Sequence, residues 1–395
     1  MENRLKPSPL QAAHRRVLLR SHMARANSAK PPRQGAATGV AQEGAQDPEM
    51  IPWGQTEESP EPVCALVADY GELEAEYAAI RRGTGVIDRP DRGLIELTGT
   101  DARDLLSRLC TNAIPAKNGS IRGFLLARTG RIVADVLVVA NEDSVILDLD
   151  RTDSEAVKAY LESFLFSEDV QIIDRTSQQH RIELHGPDAE ATFAAAFEED
   201  APCGETGLAI DVPLDRAEEV WEQLLATIAP ARRPPRAIGW HAYNIARIEA
   251  GTPIFHIDFG PDALPHETGL IQERVSFTKG CYPGQEVVAR MESRGKSKRV
   301  LTGLRLAGEG VPMSGTQVFL PDTQNTSVLG EQVGIVSSST IAPMLGAIVV
   351  AFATIKTLHA KDDTTLRVMA EGEPVDATTC SKRFLQQGPG QEGAS

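Results

Sequence analysis

Apolar and polar positions fall into three textures along the chain. Residues 1–60 show no sustained apolar period and are rich in Ala, Gln, Ser, Pro and Gly. A segment that cannot bury a face does not offset its ordering entropy, so this stretch reads as a disordered tail. From residue 61 the pattern becomes regular. Thr100-Asp101 opens a helix that sets Leu105, Leu106 and Leu109 on one face. Residues 131–140 and 145–149 are β-rich, and the polar Asn141-Glu142-Asp143 between them predicts a hairpin. Thr152 and Glu155 have capping-box spacing, and Val157, Tyr160, Leu161, Phe164 and Leu165 follow at helical intervals. Another amphipathic helix starts near Asp215 and buries Val220, Trp221, Leu224, Leu225 and Ile228, ahead of a breaker at 230–235. A further helix ends at Gly251, just before Pro253. After residue 298, short β-rich runs at 300–306, 317–320, 334–337, 347–353 and 365–368 are separated by Gly, Pro, Ser and Asn. That is the texture of a small antiparallel barrel or sandwich. The expected division is an α+β body over 61–297, a β module over 298–375 and a polar tail over 376–395.

Length adds that 395 residues allow two or three domains at about 150 residues each. With aromatics at 5%, the core must be built mainly from Ala, Val, Leu and Ile. The longest uncharged apolar run, near 346–352, is far short of the about 20 residues a membrane helix needs, so no membrane span is expected. Charge is more informative. Residues 1–42 hold eight basic side chains and one acid, a net +7, so the chain's −15 hides a body at −22. So acidic a body argues against nucleic-acid binding through bulk charge. The Arg-rich, acid-poor start resembles an organellar transit peptide in composition, with a flexible tail or an upstream extension as the plain alternatives. The expected compartment is cytoplasmic, or the mitochondrial matrix if residues 1–49 are a transit peptide. Cys64, Cys110, Cys203, Cys281 and Cys380 are odd in number, widely spaced and without a C-x-x-C, which fits neither a disulfide framework nor a zinc ribbon.

Several signatures fail. Gly295-Lys296-Ser297 mimics the end of a phosphate loop, but Arg290 stands where its first glycine belongs. Gly83-Thr84-Gly85 lacks the third glycine of a dinucleotide fingerprint, and neither G-x-S-x-G nor H-E-x-x-H occurs. No metal site is expected. One segment stands out, Lys279-Gly280-Cys281-Tyr282-Pro283-Gly284-Gln285-Glu286. Its two glycines and proline imply a tight backbone path. In an extended segment Lys279 and Cys281 project to one face, where an ammonium favours the thiolate. The plain alternative is a small buried cysteine in a glycine turn.

This K-G-C-Y-P-G-Q-E segment resembles the signature of the folate-binding YgfZ family, relatives of the glycine-cleavage T-protein (aminomethyltransferase). G-R-I-V-A-D at 130–135, R-I-E-A-G at 247–251 and L-P-H-E at 264–267 match it too, and the resemblance covers about 65–375. It implies a T-protein-like ring of two interwoven α+β lobes with a C-terminal antiparallel β-barrel, around a central folate cavity. It also implies tetrahydrofolate, or a polyglutamylated form, as cofactor, and client iron–sulfur proteins as partners in cluster assembly or repair. A bacterial branch is tied to tRNA-modifying iron–sulfur enzymes.

Residue by residue, Asp135 falls where T-proteins carry an Asp-Asp pair near the reactive folate nitrogen, but the first of that pair is here Ala134. This argues for a binding role over aminomethyl transfer, which stays as the alternative. Arg247 and Glu249 match R-x-E-A-G; a carboxylate suits the donor edge of a pterin and a guanidinium the glutamate tail. On a regular helix two such residues point about 200° apart, so either the backbone is irregular near Gly251 or only one of them touches ligand, the other making a structural salt bridge. Tyr243 replaces a T-protein arginine. Cys281 is the expected reactive thiol, with Lys279, Tyr282, Gln285 and Arg290 around the folate. Arg290, Arg294, Lys296, Lys298 and Arg299 form a basic run, opposed by Glu292, that either steers a polyanionic tail or is a solvated linker.

Overall fold

The computed structural model describes residues 8–28, 48–55, 60–197, 207–227, 233–295, 297–322 and 329–385. The chain divides into two compact units, each assembled from three separate stretches. Such interleaving follows when strands distant in sequence pair within one sheet.

The first unit comprises Met1–Ile95, Asp150–Lys158 and Ile173–Tyr243. Its sheet runs in the order Leu208–Pro213, Gln179–His185, Gly85–Arg89, Arg236–Ala237. The first three strands are antiparallel neighbours and the last is parallel to Gly85–Arg89. Gly85–Arg89 is buried along its whole length, as a central strand covered on both faces must be. Helix Ala217–Ala226 lays Ala217, Val220, Trp221 and Leu224 into the core, joined there by Val86, Ile182 and Leu184. Ile228 and residues 230–232 lie outside the described residues. The expectation of a disordered 1–60 is corrected: Gln11–Ser28 is helical and Met50–Trp53 pairs with Cys64–Val67. Leu10 and Ala13 are fully buried in this unit's core.

The second unit comprises Glu96–Leu149, Ala159–Ile172 and Asn244–Ser395. Gly119–Leu126, Ile132–Ala140 and Ser144–Asp150 pair antiparallel within a five-stranded sheet. The expected hairpin is closed by Asn141 N–H on the Ser144 carbonyl at 2.9 Å. Helix Ala102–Leu109 buries Leu105, Leu106 and Leu109. At the next helix the capping box is not what forms. The Asp150 side chain accepts from the Thr152 N–H, a single 3₁₀ turn follows, and the α-helix is Ser154–Glu162. Helix Trp240–Ala250 ends as expected at Gly251, whose φ of 79° suits a residue without a Cβ.

The β module is a closed barrel in the order Arg299–Leu306, Ile348–Lys356, Leu329–Ala342, Gln317–Pro321, Thr365–Ala370, Glu373–Cys380. Closure leaves no unpaired strand edge. The last strand crosses the expected boundary at 375, and Phe384 beyond it is buried in a stack on Phe352. Thus 376–385 are part of the fold rather than a tail; 386–395 lie outside the described residues. The described cysteines, Cys64, Cys110, Cys281 and Cys380, are all free. No helix among the described residues is long and apolar enough to cross a membrane.

Candidate functional site

Burial alternates along strand Ile132–Ala140, with Ala134, Val136, Val138 and Ala140 buried on one face, while a register shift at Leu125/Leu126 sets Ile132 apart, in the cluster with Phe124 and Leu126. Asp135 is therefore on the opposite face, opposite Phe124 of the neighbouring strand. It does not face bulk water. Its side chain is 9% exposed, and Oδ1 accepts a hydrogen bond from Arg274 Nε at 3.1 Å. Oδ2 has no hydrogen-bond partner among the described residues.

The K-G-C-Y-P-G-Q-E segment packs on the turn that precedes this strand. Gly284 (φ 76°) caps helix Gln285–Arg294, and a Cβ there would lie 2.7 Å from the Ala127 carbonyl oxygen. Gly130 (φ 79°) is the reciprocal case, its Cβ position 2.8 Å from Val287 Cβ. These two glycines let the turn and the helix start touch. Gly280 has no such duty, since a Cβ there meets nothing within 4 Å.

Between the glycines the side chains diverge. Tyr282 is buried among Phe124, Leu126, Ile132 and Val288, and burial pushes its phenol up to about 12, with nearby Cys110 adding to the effect. Lys279 Nζ donates to the carbonyls of Ser107 (2.6 Å), Cys110 (2.5 Å) and Asn112 (3.2 Å). It sits at the C-terminal end of helix Ala102–Leu109, where carbonyls and dipole favour a cation. Burial pulls its ammonium below the usual lysine range. An ammonium has three donors, so Lys279 spends its set on carbonyls instead of turning to Cys281 as an extended segment would require. Cys281 itself is exposed. Gln285 is half-buried and Arg290 exposed on the following helix.

Four residues that sequence reasoning missed complete the group. Cys110 is buried, within electrostatic reach of Lys279 and Asp135, and burial raises its thiol. Thr111 Oγ1 donates to the Arg274 carbonyl at 2.6 Å and accepts from Phe124 N–H at 2.8 Å. Asn112 Nδ2 donates to the Arg122 and Glu273 carbonyls. Arg274 ends the short helix Ile271–Arg274. The available signal was Arg274's position five residues ahead of Lys279, which nothing in its own segment distinguishes.

Arg247 and Glu249 belong to a different group. The Arg247 guanidinium donates to Asp258 Oδ2 (2.7 Å), Ser338 Oγ (2.8 Å) and Asn244 Oδ1 (2.8 Å). Asp258 also accepts from Ser337 and Ser338, so the network ties helix Trp240–Ala250 to barrel strand Leu329–Ala342. Glu249 is fully buried and its Oε1 accepts from Met344 N–H at 3.0 Å. The structure thus gathers Asp135, Lys279 and Tyr282 around Cys110, and it engages Arg247 and Glu249 in bonds to the barrel segment. Tyr243, in the first unit, lies under the Arg89 guanidinium at 5.1 Å.

Residues 67–203 match the family described as GCVT N-terminal domain, and 299–386 match the glycine cleavage T-protein C-terminal barrel domain. An aminomethyltransferase of Caldanaerobacter subterraneus is 23% identical over 351 residues, spanning 82% of this chain and 90% of its own length. A probable aminomethyltransferase of Halobacterium salinarum is 26% identical over 369 residues, spanning 82% and 93%. The solved glycine cleavage system aminomethyltransferase T from Bartonella henselae superposes with a TM-score of 0.71 at 21% identity, over 82% of this chain and 92% of that one, which establishes the shared fold. The chain belongs to the glycine-cleavage T-protein superfamily.

Proposed function

We propose that the protein binds tetrahydrofolate and supports the assembly or repair of iron–sulfur proteins. The observation that carries the folate reading is Asp135, a nearly buried carboxylate with one oxygen held by Arg274 and the other without a partner among the described residues. An acceptor in that setting, paired with Phe124 on which Tyr282 packs, fits the N–H groups of a reduced pterin. Asp135 and Tyr282 would hold the ring, and Gln285 and Arg290, on the helix that follows the loop, would serve the glutamate tail. When bound, tetrahydrofolate supplies a nitrogen able to carry one-carbon units. Arg247 and Glu249 support the site through the fold, because their polar atoms serve Asp258, Ser338, Asn244 and Met344. Exposed Cys281, next to Tyr282 in the motif loop, is the thiol offered to a client protein.

Calorimetry with tetrahydrofolate tests the binding. Asp135→Asn should weaken it at least about tenfold, the value of one hydrogen bond to a charged group; unchanged affinity rejects the assignment. Cys281→Ala should keep folate affinity yet fail to restore activity of a [4Fe–4S] enzyme in cells lacking the protein. Full restoration by that variant removes Cys281 from the function.

A second reading, a folate-dependent aminomethyltransferase, is favoured by relatives that carry that name and match along about nine-tenths of their length. Against it stands Ala134 in place of a carboxylate. Tetrahydrofolate-dependent release of product from an aminomethyl donor decides for it; folate binding without turnover decides for the first reading.

A further inference from the structure

We infer that Arg274 is a ligand-positioning residue: it determines which oxygen of Asp135 meets the ligand. The inference rests on the folate reading above, and goes beyond it by naming a residue outside every recognised motif.

The geometry of Arg274 is constrained from three sides. Its N–H donates to the Leu270 carbonyl at 3.0 Å, closing the short helix. Its carbonyl accepts from Thr111 Oγ1 at 2.6 Å, and two residues on Ser276 N–H donates to the Thr111 carbonyl at 3.0 Å. Thr111 is in turn bonded in both directions to Phe124, the residue paired with Asp135. The backbone at 274 is therefore fastened to the same strand pair that carries the carboxylate, and the side chain has little freedom in how it reaches across. That side chain is 7% exposed, and its only bond among the described residues runs from Nε to Asp135 Oδ1.

A guanidinium bound through Nε alone is only part-used. The two Nη groups remain as donors beside a carboxylate oxygen without a partner among the described residues, and none of these atoms is sealed away from an incoming ligand. Together they form the complement of a ring amide or a similar heterocycle edge, which offers an N–H to Asp135 and an acceptor to Arg274. Fork-to-fork pairing, which arginine geometry permits, would occupy both carboxylate oxygens. The single-point bond leaves an open half.

A double-mutant cycle on the full chain, read by calorimetry with tetrahydrofolate, tests this. Arg274→Met and Asp135→Asn should each weaken binding about tenfold or more, and the double variant should be no weaker than Asp135→Asn alone. Arg274→Lys keeps the charge but loses the planar fork, so it should recover only part of the affinity; it also serves if Arg274→Met does not fold. Arg274→Met with lowered melting temperature and unchanged affinity would make the residue structural and overturn the inference. So would losses that multiply in the double variant. Absence of tetrahydrofolate binding by the unaltered chain would overturn the folate reading itself, and this inference with it.

Discussion

Tyr282 and the two cysteines near it show how burial sorts residues of one chemical type. The phenol of Tyr282 is pushed up to about 12 because its ionised form would lose hydration. An unperturbed phenol titrates near ~10. The folded state therefore binds the proton more tightly than the unfolded state does. This stabilisation is complete below about pH 10 and is lost as pH rises through about 12. Spectrophotometric titration should show a phenolate step near that upper value which Tyr282→Phe removes; an unchanged alkaline titration would place the step elsewhere. The same logic separates the thiols. Cys110 and Cys64 are buried with raised thiol pKa, while Cys281 is exposed. A bulky maleimide should label Cys281 on the native protein, so Cys281→Ala should lower the rapid labelling by one equivalent. Cys110 should react only when the chain unfolds.

At the scale of elements, the loop that carries Cys281 is defined by what a Cβ would strike. Gly284 has a left-handed φ and approaches the Ala127 carbonyl; Gly280 does neither. Gly284→Ala should therefore destabilise the second unit by about 2 kcal/mol or more, through conformational strain plus displacement of the turn. Gly280→Ala should leave the unfolding free energy from urea titration within about 0.5 kcal/mol of wild type, as surface substitutions usually do. Equal effects of the two would refute this account. The elements that sequence exposes are those whose burial follows a period. Burial alternates along strand Ile132–Ala140, and helix Ala102–Leu109 carries its three leucines on one stripe. Strand Glu373–Cys380 escaped because its inner positions include Thr379 and Ala377 is its only buried apolar residue, so the run is too polar to read as a core strand. Arg274 escaped for a related reason. Four residues make one helical turn, too short to show a pattern, and its partner Asp135 is far away in sequence. The motif itself was legible, but its internal geometry was not. Backbone spacing placed Lys279 beside Cys281, whereas the tertiary fold supplies three carbonyls that an ammonium prefers.

For the molecule as a whole, the charge asymmetry acquires a physical basis in the first unit. Arg16, from the basic N-terminal stretch, pairs with Glu218 and Glu222 on the acidic helix Ala217–Ala226. Those pairs are solvent-exposed and contribute little. The stronger attachment lies deeper. Asp88 Oδ2 accepts from Ser8 Oγ at 2.6 Å and from His14 Nε2 at 2.7 Å, while Oδ1 accepts from His180 Nε2 at 2.5 Å. Tyr70 Oη meets His14 Nδ1 at 2.8 Å, and Trp221 packs edge-on against the His14 ring. The N-terminal helix is thus anchored by polar contacts to a buried carboxylate more than by an apolar stripe, which is why hydrophobic periodicity did not reveal it. Burial alone would raise the Asp88 pKa, but the two imidazoles outweigh it and hold the carboxyl below its usual range. A depressed carboxylate pKa stabilises the fold above the unfolded value near ~3.9 and loses that contribution as pH falls. Replacing His14 by leucine keeps side-chain bulk but removes one donor from Asp88. The expected loss at pH 7 is about 2–3 kcal/mol, that of a hydrogen bond to a buried charge. The gap from wild type should narrow below about pH 4, where Asp88 in the unfolded chain protonates. A chain begun at Met50 loses Ser8, Leu10, Ala13 and His14 together, and should melt at a lower temperature than His14→Leu does. Equal melting of that shortened chain and the full chain would mean that the N-terminal helix contributes nothing to the first unit, and that Asp88 is satisfied without it.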